Sequence, residues 1–135
     1  MTNNELLLDA LEYYTVDPVG RRCKNEDACY YSPKSIGKEA TSQGCLIGRL
    51  LPTELAEAID AKYTKSITTL WESEDFELPD FINKDSIGFL QSCQELHDDN
   101  SFWTKIGLSE NGKFKVSTII DEYNLDRELF SKFLN

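Results

Sequence analysis

The chain has 135 residues, of which 40% are hydrophobic and 28% charged, and its formal net charge at pH 7 is −10. This length and composition predict one folded domain over residues 1–135, because disordered chains contain fewer apolar residues. Apolar runs such as Leu6-Leu7-Leu8 are much shorter than the roughly 20 residues that a membrane-spanning helix needs. We therefore expect a soluble protein with no membrane partner.

The first residues of the chain do not resemble a signal peptide. No basic residue precedes the leucines, and Asp9 and Glu12 interrupt the apolar stretch. We therefore expect a cytoplasmic protein, in which cysteines are free thiols or metal ligands more often than disulfides. The four cysteines are Cys23, Cys29, Cys45 and Cys93.

The charges are unevenly distributed along the chain. Residues 1–19 contain four acids and no base, whereas residues 20–65 contain eight bases and six acids. Residues 66–135 contain six bases and fourteen acids. Nonspecific binding to duplex nucleic acid needs a broad positive surface, so the overall charge argues against it.

The first predicted element is a helix from a cap near Asn3 to about Tyr14. Apolar residues recur there at helical spacing, including Leu7 and Leu11. The sequence Asp17-Pro18-Val19-Gly20 then interrupts the helix, because proline disfavours helical backbone in the residue before it.

Helical periodicity is absent between Gly20 and Gly44, where Gly, Ser, Pro, Lys and Asn dominate. Irregular stretches of this length are uncommon in compact domains, and most are functional or held by a ligand or metal. A short hairpin that pairs Tyr30-Tyr31 with Cys45-Leu46-Ile47 is the alternative. We therefore predict a long irregular loop, or a small β-hairpin, at about residues 20–50.

The rest of the sequence predicts further helices. Asp85 and Asp126 are suited to be N-caps, and apolar residues follow each of them at helical spacing. In the last helix we expect Leu129, Phe130, Phe133 and Leu134 to face inward. The predicted helical segments, the second of which is alternatively a strand, are residues 52–62, 66–73, 85–98, 109–123 and 126–134. The predicted fold is therefore mainly α, a single compact helical domain.

His97 is the chain's one histidine, so any mechanism that uses imidazole as an acid or base needs it. On a helix over residues 85–98, Cys93 and His97 are one turn apart, on or beside the apolar face. This position predicts that both side chains are core residues. The alternative is a catalytic pair with Cys93 or Cys45 as the nucleophile, but neighbouring turns of one helix leave little room for a substrate.

A zinc site is a further hypothesis for the same residue types. Zinc takes four thiolate or imidazole ligands in a tetrahedron, and a bound metal can hold an irregular loop in place. The wide spacing of the first two cysteines is a point against it, so two cofactor predictions stay open, namely none or one zinc ion. The predicted zinc ligands are Cys23, Cys29, Cys45 and His97.

The basic residues of the 20–50 segment predict a second kind of site. Guanidinium and ammonium groups bind phosphates, and aromatic rings stack on bases. The segment Ser35-Ile36-Gly37-Lys38-Glu39 is not a P-loop, because it lacks the earlier glycine and has Glu after Lys. A solvated loop is the alternative. The candidate residues for binding a nucleotide or another anion are Arg21, Arg22, Lys24, Tyr31, Lys38 and Arg49.

Acidic residues are densest in the segment from residue 72 to residue 85. Such a run is usually solvated surface, but it can also occupy a basic groove on a partner by mimicking a nucleic-acid backbone. The acids in the run are Glu72, Glu74, Asp75, Glu77, Asp80 and Asp85.

A set of short motifs is spread along the sequence. Its parts are Arg22-Cys23, Cys29-x-Tyr31, Gly44-Cys45-x-Ile47-Gly48-Arg49-Leu50-Leu51-Pro52, Leu90-Gln91, Leu96-His97-Asp98 and Trp103. This pattern resembles a set of small bacteriophage and prophage proteins. The resemblance covers about residues 20–124 and is most specific in the Gly-Cys-x-Ile-Gly-Arg core. It implies a phage-encoded accessory protein in the cytoplasm of an infected bacterium, and it transfers no catalytic residue.

Three functional hypotheses follow from these features. The leading one is a non-enzymatic accessory protein that binds a host factor or inhibits a defence system, because the chain is small, acidic and has one histidine. The first alternative is a protein that binds or sequesters a nucleotide or another small anion through the basic segment. The second is a small enzyme with a Cys/His or metal centre. The sequence leaves the oligomeric state open.

Overall fold

The structure is a computed structural model that describes residues 1–22, 31–32, 45–62 and 66–135. Helices account for most of these residues, which confirms the predicted mainly α fold. The α-helices are α1 (Asn3–Tyr14), α2 (Pro18–Arg21), α3 (Thr53–Lys62), α4 (Ile67–Ser73), α5 (Ile87–Asp98), α6 (Glu110–Glu122) and α7 (Ser131–Leu134). Short 3-10 helices lie at Gly48–Leu50, Asn100–Phe102 and Arg127–Phe130. In the described part of the chain, no helix combines the length and apolar character that crossing a membrane would require.

A two-stranded hairpin joins the 3-10 helix after α5 to α6. Strand β1 (Trp103–Thr104) pairs antiparallel with β2 (Gly107–Leu108), so that Trp103 lies opposite Leu108. The sequence did not predict this hairpin, because two-residue strands are too short to show an alternating pattern.

The hairpin predicted near residues 30 and 45 is not found in the residues that can be described there. Tyr31 and Ser32 form bends, and Cys45, Leu46 and Ile47 form a bend and turn that lead into a 3-10 helix. The remainder of the predicted irregular segment, residues 23–30 and 33–44, lies outside the described residues.

Polar side chains define where several helices begin. Thr2 Oγ1 accepts a hydrogen bond from the backbone N–H of Glu5 at 3.1 Å, which starts α1.

The prediction that Asp85 caps α5 is wrong. Asn83 Oδ1 accepts from the backbone N–H groups of Asp85 and Ser86, at 2.9 and 3.0 Å, so a turn occupies these residues and α5 begins at Ile87.

The core is built around one face of α5. Phe89, Leu90, Cys93, Leu96 and His97 are each at most 1% exposed. They recur at helical spacing, which confirms the prediction that Cys93 and His97 point into the interior. The fully buried residues that α1 and α6 contribute to the same core include Leu7, Leu11, Tyr14, Val116, Ile119 and Ile120.

The C-terminal segment differs from its prediction at one side chain. Asp126 is an N-cap as expected, but the turn it begins is the 3-10 helix Arg127–Phe130, with α7 following it. Phe130 is fully buried and Phe133 and Leu134 are half-buried, whereas Leu129 is 42% exposed, so the prediction that all four face inward is wrong at Leu129. A 3-10 turn has three residues per turn, so two adjacent side chains in it point about 120° apart.

Gly48 lies where the 3-10 helix Gly48–Leu50 passes close to the backbone of Tyr31. A Cβ atom at position 48 would lie 2.0 Å from the Tyr31 carbonyl oxygen. Tyr31 is itself 2% exposed, so this backbone has little space into which to move. The packing of Tyr31 on the core therefore requires glycine at position 48.

We predict that Gly48→Ala lowers the free energy of unfolding by roughly 1 to 3 kcal/mol, the usual cost of overpacking a core. Urea unfolding followed by circular dichroism measures the change. Gly88→Ala is the matched control, because the nearest atom to its new Cβ is the movable Tyr123 Oη at 3.2 Å. An equal effect of the two substitutions would contradict the close approach at Gly48.

Candidate functional site

Arg22, a predicted anion ligand, lies at the end of α5. Its Nε donates a hydrogen bond to the carbonyl oxygen of His97 at 2.6 Å, and the residue is 8% exposed. Its guanidinium carbon is 5.6 Å from the centre of the Trp103 ring. Trp103 Nε1 in turn donates to the Leu96 carbonyl oxygen at 2.7 Å. Arg22 and Trp103 therefore satisfy two of the carbonyl groups that the last turn of a helix leaves without helical partners.

Arg21 and Arg49, two further predicted ligands, both contact α1. Their guanidinium carbons lie 4.6 and 4.4 Å from the centre of the Tyr13 ring. Arg21 Nη1 also donates to the Tyr13 carbonyl oxygen at 3.0 Å, and Arg49 Nη1 lies 2.6 Å from Asp9 Oδ2. These contacts use both cations to attach neighbouring segments to α1.

Tyr31 was predicted to stack on a ligand, but its ring is buried. Its Oη accepts a hydrogen bond from Gln94 Nε2 at 3.0 Å. The carboxylate of Asp60 accepts from the backbone N–H groups of Tyr31 and Ser32 at 2.9 and 2.8 Å. Burial raises the pKa of the Tyr31 hydroxyl, the charge of Cys45 adds to this, and the hydrogen bond from Gln94 opposes it. The remaining predicted ligands, Lys24 and Lys38, lie outside the described residues.

Gln94 is a connecting residue that the sequence analysis missed. Besides its bond to Tyr31, its Oε1 accepts from the backbone N–H of Ile67 at 2.6 Å, at the first turn of α4. One buried amide therefore joins α5, α4 and the Tyr31 segment. The signal available in the sequence was a glutamine next to Cys93, close to an otherwise apolar helix face.

The structure describes two of the four predicted zinc ligands. Cys45 and His97 are both buried, while Cys23 and Cys29 lie outside the described residues. Cys45 Sγ accepts a hydrogen bond from the Gly48 N–H at 3.3 Å, and His97 Nδ1 lies 2.6 Å from Asp98 Oδ1. Among described residues, no group of three His, Cys, Asp or Glu side chains is arranged to hold a metal. The zinc site stays a prediction.

The thiol of Cys93 is buried and free of any disulfide. Burial raises its pKa above the ordinary value, and the positive charge of Lys115 acts in the opposite direction. A nucleophilic cysteine needs an accessible thiolate, which this environment disfavours. His97 is also buried, and its ring packs edge-on against Tyr14 with centroids 4.9 Å apart. The helix thus buries Cys93 and His97 in the core, away from solvent.

Among the surface cavities formed by the described residues, two combine a tryptophan with charged residues, and another molecule could bind in them. The first, here called the acidic groove, has a volume of about 550 Å³. The second, here called the Arg22–Trp103 cavity, has a volume of about 280 Å³ and lies between α2 and the hairpin. The acidic groove is lined by Trp71, Glu72, Glu74, Phe76, Leu78 and Ile82.

Comparisons with known protein families, with curated proteins and with solved structures give no match for the chain. Any function proposed for the chain therefore depends on the chemistry of its own surface.

We predict that Gln94→Leu lowers the free energy of unfolding by roughly 2 to 4 kcal/mol, because it removes the partner of two buried polar groups, the Ile67 N–H and the Tyr31 hydroxyl. Urea unfolding measures the loss. The control is Gln91→Leu, whose bonds to the backbone and side chain of Thr68 lie nearer the surface. A Gln94→Leu variant as stable as Gln91→Leu would refute the connecting role.

We also predict that Cys93 makes stability fall at high pH. Its thiol stays protonated in the folded chain but ionises in the unfolded chain above about pH 8.5. The unfolded state then binds fewer protons, so the free energy of unfolding falls by about 1.4 kcal/mol per pH unit above that value.

Urea unfolding under reducing conditions at about pH 7 to 10 tests this. Cys93→Ala should reduce the slope of stability against pH above pH 8.5. Leu96→Ala, which also removes buried volume on α5, should keep the slope. Equal slopes in the two variants would show that Cys93 ionises without unfolding.

Proposed function

We propose that this chain is a non-enzymatic accessory protein that binds a basic surface of another protein through the acidic groove. The observation that carries the proposal is the combination, in one groove, of aromatic and aliphatic side chains with exposed carboxylates. Interfaces are rich in aromatic residues at their centre and polar at their rim. This groove has both features on one face of the molecule.

The groove is shaped by the end of α4. Glu74 has φ 57°, the left-handed conformation that commonly ends helices, and it turns the chain back beside Trp71. Trp71 and Phe76 are half-buried, so apolar surface of both side chains remains accessible on the floor of the groove. A partner's apolar side chain that packs there would be removed from water.

The rim carries negative charge. Residues 72–80 contain five acids and no base. Lys62 lies 3.4 Å from Asp75, but this ion pair is partly exposed and such pairs contribute little. A negative rim attracts a basic partner, accelerates its association and repels nucleic acid. The proposed partner surface is therefore a lysine- or arginine-rich segment with an apolar side chain.

The source of the partner follows from the resemblance to bacteriophage and prophage proteins. A protein of that kind acts inside an infected bacterium, so we propose that the basic surface belongs to a host factor. Inhibition of a host defence protein is a suitable role, because occupying a basic surface can block its normal ligand without catalysis. The burial of Cys93 and His97 supports a non-enzymatic role.

The proposal is tested with a synthetic helical peptide of leucine and lysine, with the leucines at helical spacing. Its dissociation constant is measured by isothermal titration calorimetry at low and raised salt. We expect salt-sensitive binding that Glu72→Gln/Glu74→Gln weakens by about tenfold, equivalent to ~1.4 kcal/mol. Trp71→Ala should weaken it by a similar factor, because aromatic side chains contribute strongly to interfaces.

The control is Glu122→Gln/Glu128→Gln, which changes net charge equally at two exposed sites elsewhere. It should leave the affinity nearly unchanged. If it weakens binding as much as Glu72→Gln/Glu74→Gln, the attraction is due to overall charge and the groove is not the site. Since Glu72 and Glu74 are exposed, this test does not depend on how Trp71→Ala folds.

A further inference from the structure

The turn between β1 and β2 exposes an apolar and a basic side chain next to each other. Lys105 and Ile106 form this turn, here called the hairpin tip, and Ile106 is 89% exposed. Turns consist mostly of glycine, proline, asparagine, aspartate and serine, so an isoleucine in this position is unusual. Because the chain itself leaves Ile106 in water, a contact with another molecule is what would remove its apolar surface from water.

The hairpin tip is held in a fixed shape. Thr104 Oγ1 donates a hydrogen bond to the Gly107 carbonyl oxygen and accepts one from the Ile106 N–H, each at 3.2 Å. Gly107 has φ 156°, a backbone conformation that favours glycine. The bond from Trp103 Nε1 to the Leu96 carbonyl oxygen attaches β1 to α5. Since the tip is already ordered, binding it to a partner costs little conformational entropy.

The charge of the hairpin tip is opposite to that of the acidic groove. In the described part of the chain, no carboxylate forms an ion pair with Lys105, and no cation forms one with Glu72 or Glu74. All three side chains are exposed. A contact between the tip and the groove would therefore bring opposite charges together without breaking an existing ion pair, which favours association.

The exposed Phe114 of α6 lacks this combination of features. Its side chain is 76% exposed, and a lysine lies on each side of it in the sequence. Lys113 Nζ is already 3.2 Å from Glu110 Oε1. Lys115 Nζ is 2.9 Å from Glu95 Oε2. Phe114 is therefore a suitable control for exposed apolar surface that has no unpaired cation beside it.

We propose that the hairpin tip of one chain binds in the acidic groove of a second copy of the same chain. Ile106 packs on the apolar floor beside Trp71, and Lys105 lies next to the carboxylates of Glu72 and Glu74. The groove volume of about 550 Å³ is within the range of small-molecule pockets, roughly 300–1,000 Å³, so it admits an isoleucine side chain. The inference rests on the proposed function, because it uses the same groove.

This contact joins two different surfaces of the molecule. Since Ile106 is 89% exposed, the hairpin tip does not fill the groove of its own chain. Two chains can exchange tips and close as a dimer, or the contact can repeat into longer assemblies. In either arrangement a basic segment of a host protein must displace the tip from the groove. Self-association therefore lowers the apparent affinity for the host protein as the concentration of the chain rises.

The test is sedimentation velocity of the full chain at concentrations from about 10 µM to about 1 mM, which covers weak association. The ionic strength is held at about 0.15 M, where the screening length is about 8 Å, so chains of net charge −10 repel each other little at a distance. We expect the average sedimentation coefficient to rise with concentration, as for a small, transient interface. A value that stays at that of the monomer would overturn the proposal.

Substitutions of exposed residues locate the contact without disturbing the core. Ile106→Thr and Lys105→Glu should each raise the dissociation constant of self-association by roughly tenfold or more. Phe114→Gln and Lys84→Glu are the matched controls, because Phe114 and Lys84 are exposed and belong to neither surface. They should leave the constant nearly unchanged. An equal effect of a control and of the matching tip substitution would show that the hairpin tip is not the contact.

Mixing two variants tests whether the tip meets the groove. Lys105→Glu places a negative tip opposite a negative groove, and Glu72→Lys/Glu74→Lys places a positive tip opposite a positive groove. Each variant alone should be monomeric, because like charges repel. An equimolar mixture should associate, since each tip then meets a groove of opposite charge. A mixture that sediments as the sum of its two components would contradict the contact.

The leucine–lysine peptide separates this inference from the proposed function. It should bind the Ile106→Thr variant, whose groove is intact, and it should dissociate assemblies of the unsubstituted chain. If the peptide binds but the chain does not self-associate, only the present inference is wrong. The same conclusion follows if the peptide binds and leaves the assemblies intact. If neither the peptide nor a second copy binds, the acidic groove is not a binding surface and both proposals are wrong.

Discussion

The buried amide of Gln94 is the contact on which the arrangement of the described segments depends. A buried amide must be hydrogen-bonded at both its oxygen and its nitrogen, because each unsatisfied polar group destabilises the fold. Gln94 meets this requirement with Ile67 of α4 and with the hydroxyl of Tyr31. Asp60 then fixes the backbone of Tyr31 from the other side. The position of α4 relative to α5, and with it the acidic groove, follows from these bonds.

The C-terminal end of α5 determines in a similar way where Arg22 and Trp103 lie. The last carbonyl groups of a helix carry partial negative charge, which favours a cation beside them. Arg22 supplies that cation at His97, and Trp103 binds the preceding carbonyl at Leu96. Both walls of the Arg22–Trp103 cavity are therefore attached to the same helical turn. A requirement of helix stability thus explains why a guanidinium and an indole lie next to each other.

The helical spacing of apolar residues in the sequence was sufficient to predict α1, α5 and α6. It also placed Cys93 and His97 in the interior. It failed where a tertiary contact or a short turn decided the outcome. Arg49 reaches Tyr13 across the fold, and nothing near either residue in the sequence indicates that contact. Gln94 looked like a polar residue beside an apolar face, since its two partners lie 27 and 63 residues away.

The same physics explains why the chemically conspicuous residues are poor guides to function in this chain. A buried Arg, His or Cys needs partners or a raised or lowered pKa, so burial makes these groups structural. Arg22, His97 and Cys93 follow that rule. Apolar side chains at the surface indicate function better, because exposing them to water does not stabilise the fold. An apolar floor beside exposed carboxylates, as at Trp71, is therefore the stronger indication of a binding surface.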